Sequence, residues 1–122
     1  MTQAKRRRRV LIVEDEPALR SSYQRAFEPR YDLIFASTGA EALEQLELHR
    51  PDVAVLDMRL PDTDGVALLR RMRTSRPTLP VIITTAYMSI EPQLKVLNLP
   101  HSGYIVKPFR LDELGARIDA VS

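Results

Sequence analysis

Four short apolar runs in this chain end in side chains able to do chemistry. Glu14, Asp15 and Glu16 follow Val10–Val13, and Asp57 follows Val53–Leu56. Thr84 and Thr85 close the run that begins at Val81, and Lys107 with Pro108 follows Tyr104–Val106. If these runs are strands of one parallel sheet, the acids, a hydroxyl and an ammonium converge at the carboxyl edge, where doubly wound sheets bind ligands. Clustered carboxylates resist ionising together unless a cation compensates them. Oxygen donors without His or Cys favour a hard divalent ion, Mg²⁺ (or Mn²⁺), with Mg²⁺ usual where a phosphate also binds. Asp57 would then be a nucleophile of the aspartyl-phosphate type. The metal and Lys107 would neutralise the phosphoryl oxygens, and a threonine hydroxyl would hydrogen-bond one of them. Taken singly, each part has a plainer reading. An acidic triplet before a helix complements its dipole, an Asp after a strand is a turn residue, and a lysine before proline is a loop charge. Their recurrence at four strand ends is what carries the chemical reading.

The elements that would position these groups are legible. Strands are expected at Val10–Val13, Asp32–Ala36, Val53–Leu56, Val81–Thr84 and Tyr104–Val106. At least three are continuously apolar, as parallel strands covered on both faces should be. Between them lie helical patterns. Leu19, Tyr23, Ala26 and Phe27 recur behind Pro17, and Thr38 with Glu41 forms a capping box. Asp64 can cap a helix carrying Leu68, Leu69 and Met72, and Leu111, Leu114, Ile118 and Val121 make a last stripe. Five alternations predict a three-layer α/β sandwich with right-handed crossovers. The fourth helix, between Tyr87 and Ser102, is expected to be short or distorted because Pro92 and Pro100 bound it.

The chain has 122 residues, 44% hydrophobic and 28% charged, which fits one soluble domain. It has no cysteine, which excludes disulfides and thiolate metal sites and fits a reducing compartment. No apolar run is long enough for a bilayer span or a signal peptide, so a cytoplasmic location is expected. The net charge of +2 conceals a basic run, Lys5–Arg9. Residues 1–8 are read as a basic, solvated leader and 9–121 as the domain, with no direct nucleic-acid binding by it.

The segments Val10-Leu11-Ile12-Val13-Glu14-Asp15-Glu16, Pro51-Asp52-Val53-Ala54-Val55-Leu56-Asp57 and Leu60-Pro61-Asp62-Thr63-Asp64-Gly65 resemble signature blocks of response-regulator receiver domains of two-component signal transduction. So do Pro80-Val81-Ile82-Ile83-Thr84-Thr85-Ala86 and Gly103-Tyr104-Ile105-Val106-Lys107-Pro108-Phe109. The likeness, to a chemotaxis-type receiver, covers roughly residues 8–121. It implies a flavodoxin-like, doubly wound five-stranded parallel sheet in the order 2-1-3-4-5 with five helices. Asp57 is implied as phosphoacceptor. Glu14, Asp15, Asp57 and the backbone carbonyl of Arg59 are implied as the metal shell. Thr85 matches the switch threonine, Lys107 the phosphate-binding lysine before a cis Pro108, and Tyr104 the aromatic switch. The implied partners are a sensor histidine kinase or histidine phosphotransfer protein, a downstream output domain or protein, and a second copy of the chain on phosphorylation. Such a protein catalyses only its own phosphorylation and dephosphorylation. The receiver is expected either to stand alone or to belong to a longer regulator.

The sequence departs from the family pattern at Leu97-Asn98-Leu99-Pro100-His101 and at Pro92, which puts the shape of the output face in question. Arg59 and Tyr87, two residues after Asp57 and Thr85, are placed to obstruct attacking water. Asp62 and Asp64 read as loop and cap residues, and His49 and His101 as isolated surface histidines without metal spacing. A pseudo-receiver that binds partners without phosphorylation is the alternative, and the complete acid, threonine and lysine set argues against it. An aspartate-nucleophile phosphatase would need an acid where Arg59 stands. No Gly-rich phosphate loop supports nucleotide binding.

Overall fold

Each strand is a short β-branched or leucine-rich run stopped by a charged or turn residue. In the computed structural model, which describes residues 7–86 and 100–121, β1 (Arg9–Val13), β2 (Asp32–Ala36), β3 (Val53–Asp57), β4 (Val81–Thr85) and β5 (Tyr104–Val106) form one sheet. All pairings are parallel and the order is β2-β1-β3-β4-β5, the flavodoxin-like order. Two of the three strands that exceed expectation do so at functional positions. Asp57 is inside the ladder opposite Thr84, and Thr85 stands opposite Val106.

The helices follow their local signals. Pro17 opens α1 (Pro17–Phe27), where a missing N–H costs nothing. Thr38 accepts the Glu41 amide at 3.0 Å to start α2 (Gly39–His49). The Glu41 carboxylate reaches back to the Ser37 amide, 2.7 Å, so the capping box closes one residue earlier than its usual form. Asp64 accepts the Ala67 amide at 2.8 Å and caps α3 (Gly65–Ser75). The last described helix, α4, runs Leu111–Ala120. The expected short fourth helix, with Pro92, Tyr87 and most of the divergent 97–101 segment, falls in 87–99, outside the described residues.

Alternation along the strands splits the core into two layers. Val10, Ile12, Val53, Val55, Ile82 and Ile105 meet Tyr23, Phe27, Leu114 and Ile118 from α1 and α4. On the other face Leu11, Val13, Ala54, Leu56, Val81 and Ile83 meet Ala42, Leu46, Leu68, Leu69 and Met72 from α2 and α3. Both faces are covered by helices, which is why the strand sequences lack polar alternation.

The described part of the basic leader is not merely solvated. Arg7 donates to the carbonyls of Glu28 and of Tyr31 (2.7 Å for the latter), just beyond α1. Arg8 donates to the Ile118 carbonyl in α4 at 2.7 Å. Arg9 donates to the His49 carbonyl, the last residue of α2, at 2.9 Å. Three consecutive guanidinium groups thus serve carbonyls at or beyond the ends of three helices, where cations are favoured and carbonyls lack intrahelical partners. Of the expected leader, residues 1–8, Arg7 and Arg8 are described, and both make these bonds, while Arg9 already belongs to β1.

Candidate functional site

β1 and β3 are neighbours at the point where the strand order reverses, and their ends bring the acids together. Glu14 and Asp57 are buried, at 1% and 5% exposure, while Asp15 is exposed. One carboxylate oxygen from each of Glu14, Asp15 and Asp57 lies within 4.8 Å of the others. The backbone around them is fixed by continuing the ladder past the strands. The Glu14 amide donates to the Ala36 carbonyl at 2.9 Å, Met58 to Thr84 at 3.1 Å, and Lys107 to Thr85 at 2.7 Å. Behind Asp57, α3 must start almost on top of the chain. A Cβ at Gly65 would stand 2.7 Å from the Met58 Cα, so only glycine fits that approach.

Lys107 supplies the compensating cation. Its Nζ is 3.3 Å from Glu14 Oε1 and 3.3 Å from Asp57 Oδ2. The Glu14 and Asp57 carboxylates each accept one nearby amide as well, from Glu16 at 3.1 Å and Arg59 at 3.3 Å. One ammonium is not enough for both acids. Burial, then the charge of Asp57, pushes the Glu14 carboxyl up to about 7, against the smaller opposing effects of the Glu16 amide and Lys107. Burial pulls the Lys107 ammonium the other way, but Asp57 and Glu14 together outweigh it and its pKa is raised. The raised carboxyl is thus mainly that of a desolvated acid, with a second carboxylate beside it. An all-oxygen donor set opening to solvent at Asp15 fits a hard divalent ion. The cavity in front, about 420 Å³, is bordered by the three acids, Arg59, Ala86 and Lys107.

The remaining candidates are placed as follows. Thr85 is buried, with 1% exposure, at the end of β4. Thr84 is likewise buried one residue inside the strand. Tyr104 begins β5, is half-buried, and packs against the α2–α3 face of the core. Arg59 is exposed and bridges Asp64 through the backbone. The Lys107–Pro108 bond is cis. Tyr87 lies outside the described residues. His101 accepts the Gly103 amide on Nδ1 at 3.0 Å, and His49 ends α2. Neither histidine joins the acids, and among the described residues the only metal-competent cluster is Glu14, Asp15 and Asp57.

Two features escaped the sequence reading. Asp62 accepts the Gly39 and Ala40 amides at 2.7 and 3.0 Å, so it caps α2 from the loop after β3. Its pKa is lowered by those two amides. The Lys107–Glu14 pairing joins residues 93 apart, and only the convergence of opposite charges at strand ends could have signalled it.

Comparison with known proteins gives a consistent answer. The response regulator receiver domain family matches residues 10–119. Response regulator MprA of Mycobacterium leprae (strain TN) is 38% identical over 114 residues, covering 93% of this chain and 50% of that protein. The chain thus spans about half the length of the curated relatives it matches. A CheY-like response regulator receiver domain protein from Methanospirillum hungatei JF-1 superposes with a TM-score of 0.86 at 32% identity, covering 93% of this chain and 92% of that one. The response regulator protein TrrA from Thermotoga maritima, solved in complex with Mg²⁺–BeF, gives a TM-score of 0.83 at 28% identity, covering 94% and 99%. The fold, the acidic cluster at its switch point and the match along almost all of its length place this chain in the response regulator receiver domain family.

Proposed function

We propose that the chain accepts a phosphoryl group on Asp57 from a phosphohistidine of a sensor histidine kinase or histidine phosphotransfer protein. The observation that carries this is the buried Asp57 carboxylate, held 3.3 Å from the Lys107 ammonium and clustered with Glu14 and Asp15. An Asp57 oxygen attacks phosphorus, an O–P bond forms, the P–N bond breaks, and the imidazole leaves as the base that takes up a proton. Glu14, Asp15, Asp57 and the Arg59 carbonyl would hold Mg²⁺ (or Mn²⁺), which supplies neutralisation of the phosphoryl oxygens. Lys107 follows the charge. As the Asp57 carboxylate becomes an acylphosphate, its ammonium binds a phosphoryl oxygen. Thr85, at the end of β4, donates its hydroxyl to another.

The resemblance assigns the switch to Thr85 and Tyr104, which stand near the end of β4 and at the start of β5. Drawing Thr85 toward the phosphoryl group repacks the β4 end beside β5, and Tyr104 responds. The changed face is read by an output domain or protein, or by a second copy of the chain. The chain acts in the cytoplasm, and this domain does not itself bind nucleic acid. Among the described residues no helix is long and apolar enough to cross a membrane. The Mg²⁺–BeF complex of TrrA supports the reading, since beryllofluoride mimics a phosphoryl group on a carboxylate.

Nuclear magnetic resonance on the labelled protein tests it. Mg²⁺ with beryllofluoride is expected to shift the amides of Asp57, Thr85, Tyr104 and Lys107, with no such response in Asp57→Asn. Equal responses in parent and variant would refute the assignment of Asp57.

A further inference from the structure

Lys107 has to stand between two carboxylates, yet its segment is poorly walled. Lys107, Pro108 and Phe109 border a cavity of about 500 Å³ with Leu19, Ser22 and Leu111. On that flank few atoms oppose displacement of the segment. The Lys107 amide is tied to the Thr85 carbonyl at 2.7 Å, and beyond it the segment rests on the Phe109 ring. Phe109 stacks on Tyr23 with ring centroids 6.4 Å apart and planes 15° from parallel. Tyr23 is completely buried in α1 and leans on Phe27, 6.1 Å away, so it is a fixed surface. Among the described residues none hydrogen-bonds its hydroxyl. Burial first, then the charges of Glu14, Asp57 and Glu16, push its pKa up.

We propose that Tyr23 is a positioning residue for Lys107. Its ring seats Phe109, and Phe109 holds the 107–109 segment so that the ammonium stands between Glu14 and Asp57. The consequence for phosphoryl transfer rests on the function proposed above. The placement of the lysine does not.

Two readouts on the intact chain separate them. The first is modification of Lys107 by an amine-acetylating reagent, mapped by mass spectrometry. The second is the rate of Asp57 phosphorylation by acetyl phosphate with Mg²⁺. Tyr23→Leu is expected to raise Lys107 acetylation several-fold and to slow phosphorylation several-fold, while Tyr23→Phe matches the parent in both. Phe109→Leu, which removes the half-buried member of the stack, is expected to reproduce Tyr23→Leu and serves if that variant does not fold. Acetylation unchanged in a folded leucine variant would overturn the proposal. So would a Tyr23→Phe variant that behaves like leucine, because the hydroxyl would then be the working part. A parent protein that takes no phosphoryl group would refute the proposed function, and the acetylation pattern would still decide the role of Tyr23.

Discussion

At the residue scale, Glu14 has a thermodynamic consequence. Its carboxyl ordinarily titrates at 4.5 and is pushed up to about 7 in the fold. Between those values the folded chain binds more protons than the unfolded chain, so folding stability falls as pH rises and levels off above 7. At roughly 1.4 kcal/mol per unit the loss is at most roughly 3 to 4 kcal/mol. Asp62 and Asp119 are depressed, and so contribute stability that is lost only as pH falls through the ordinary carboxylate range, outside this window. Urea unfolding in chelator is therefore expected to show greater stability near pH 5 than near pH 8, with the slope removed by Glu14→Gln. A parent curve equal at both pH values would contradict the raised carboxyl. If Glu14 holds a divalent ion as proposed, it does so ionised, so Mg²⁺ affinity is expected to rise from pH 6 to pH 8, measurable by titration calorimetry. Arg59 stands exposed at the mouth of the same cavity. Arg59→Ala is expected to speed autodephosphorylation several-fold, and an unchanged decay rate would remove its role against water.

At the element scale, the local signals and the structure agree where the interaction is local. Pro17, Thr38 and Asp64 open α1, α2 and α3 as their types dictate. Asp64→Ala is expected to cost about 1 kcal/mol in urea unfolding. Long-range interactions are where sequence gave no purchase. Asp62 serves a helix 23 residues earlier, and Arg8 serves a helix 110 residues later. Nothing in a charge run tells a solvated arm from one bound to helix ends, because the acceptors are backbone carbonyls that every residue has. Arg8→Ala is expected to destabilise by about 1 kcal/mol, for loss of a charge-assisted bond near a helix terminus. An unchanged denaturation midpoint would show that the bond to Ile118 contributes nothing.

At the scale of the whole molecule, a parallel sheet gathers residues distant in sequence at one edge, and this made the site readable. Glu14, Asp57 and Lys107 each follow an apolar run, so knowing the runs to be parallel strands places all three ends together. The strand order itself came from family resemblance, since hydrophobic patterning does not say which strand lies beside which. The convergence of Lys107 with both acids was legible from the strand ends, whereas the 3.3 Å pairing with each of them depends on side-chain placement that a sequence does not carry. The central claim is that Asp57 takes a phosphoryl group, and intact mass spectrometry after incubation with acetyl phosphate and Mg²⁺ tests it most directly. One added phosphoryl group is expected, stable in acid and labile in base, lost with chelator and absent from Asp57→Asn. An adduct of equal extent in Asp57→Asn, or none in the parent with Mg²⁺ bound, would contradict it.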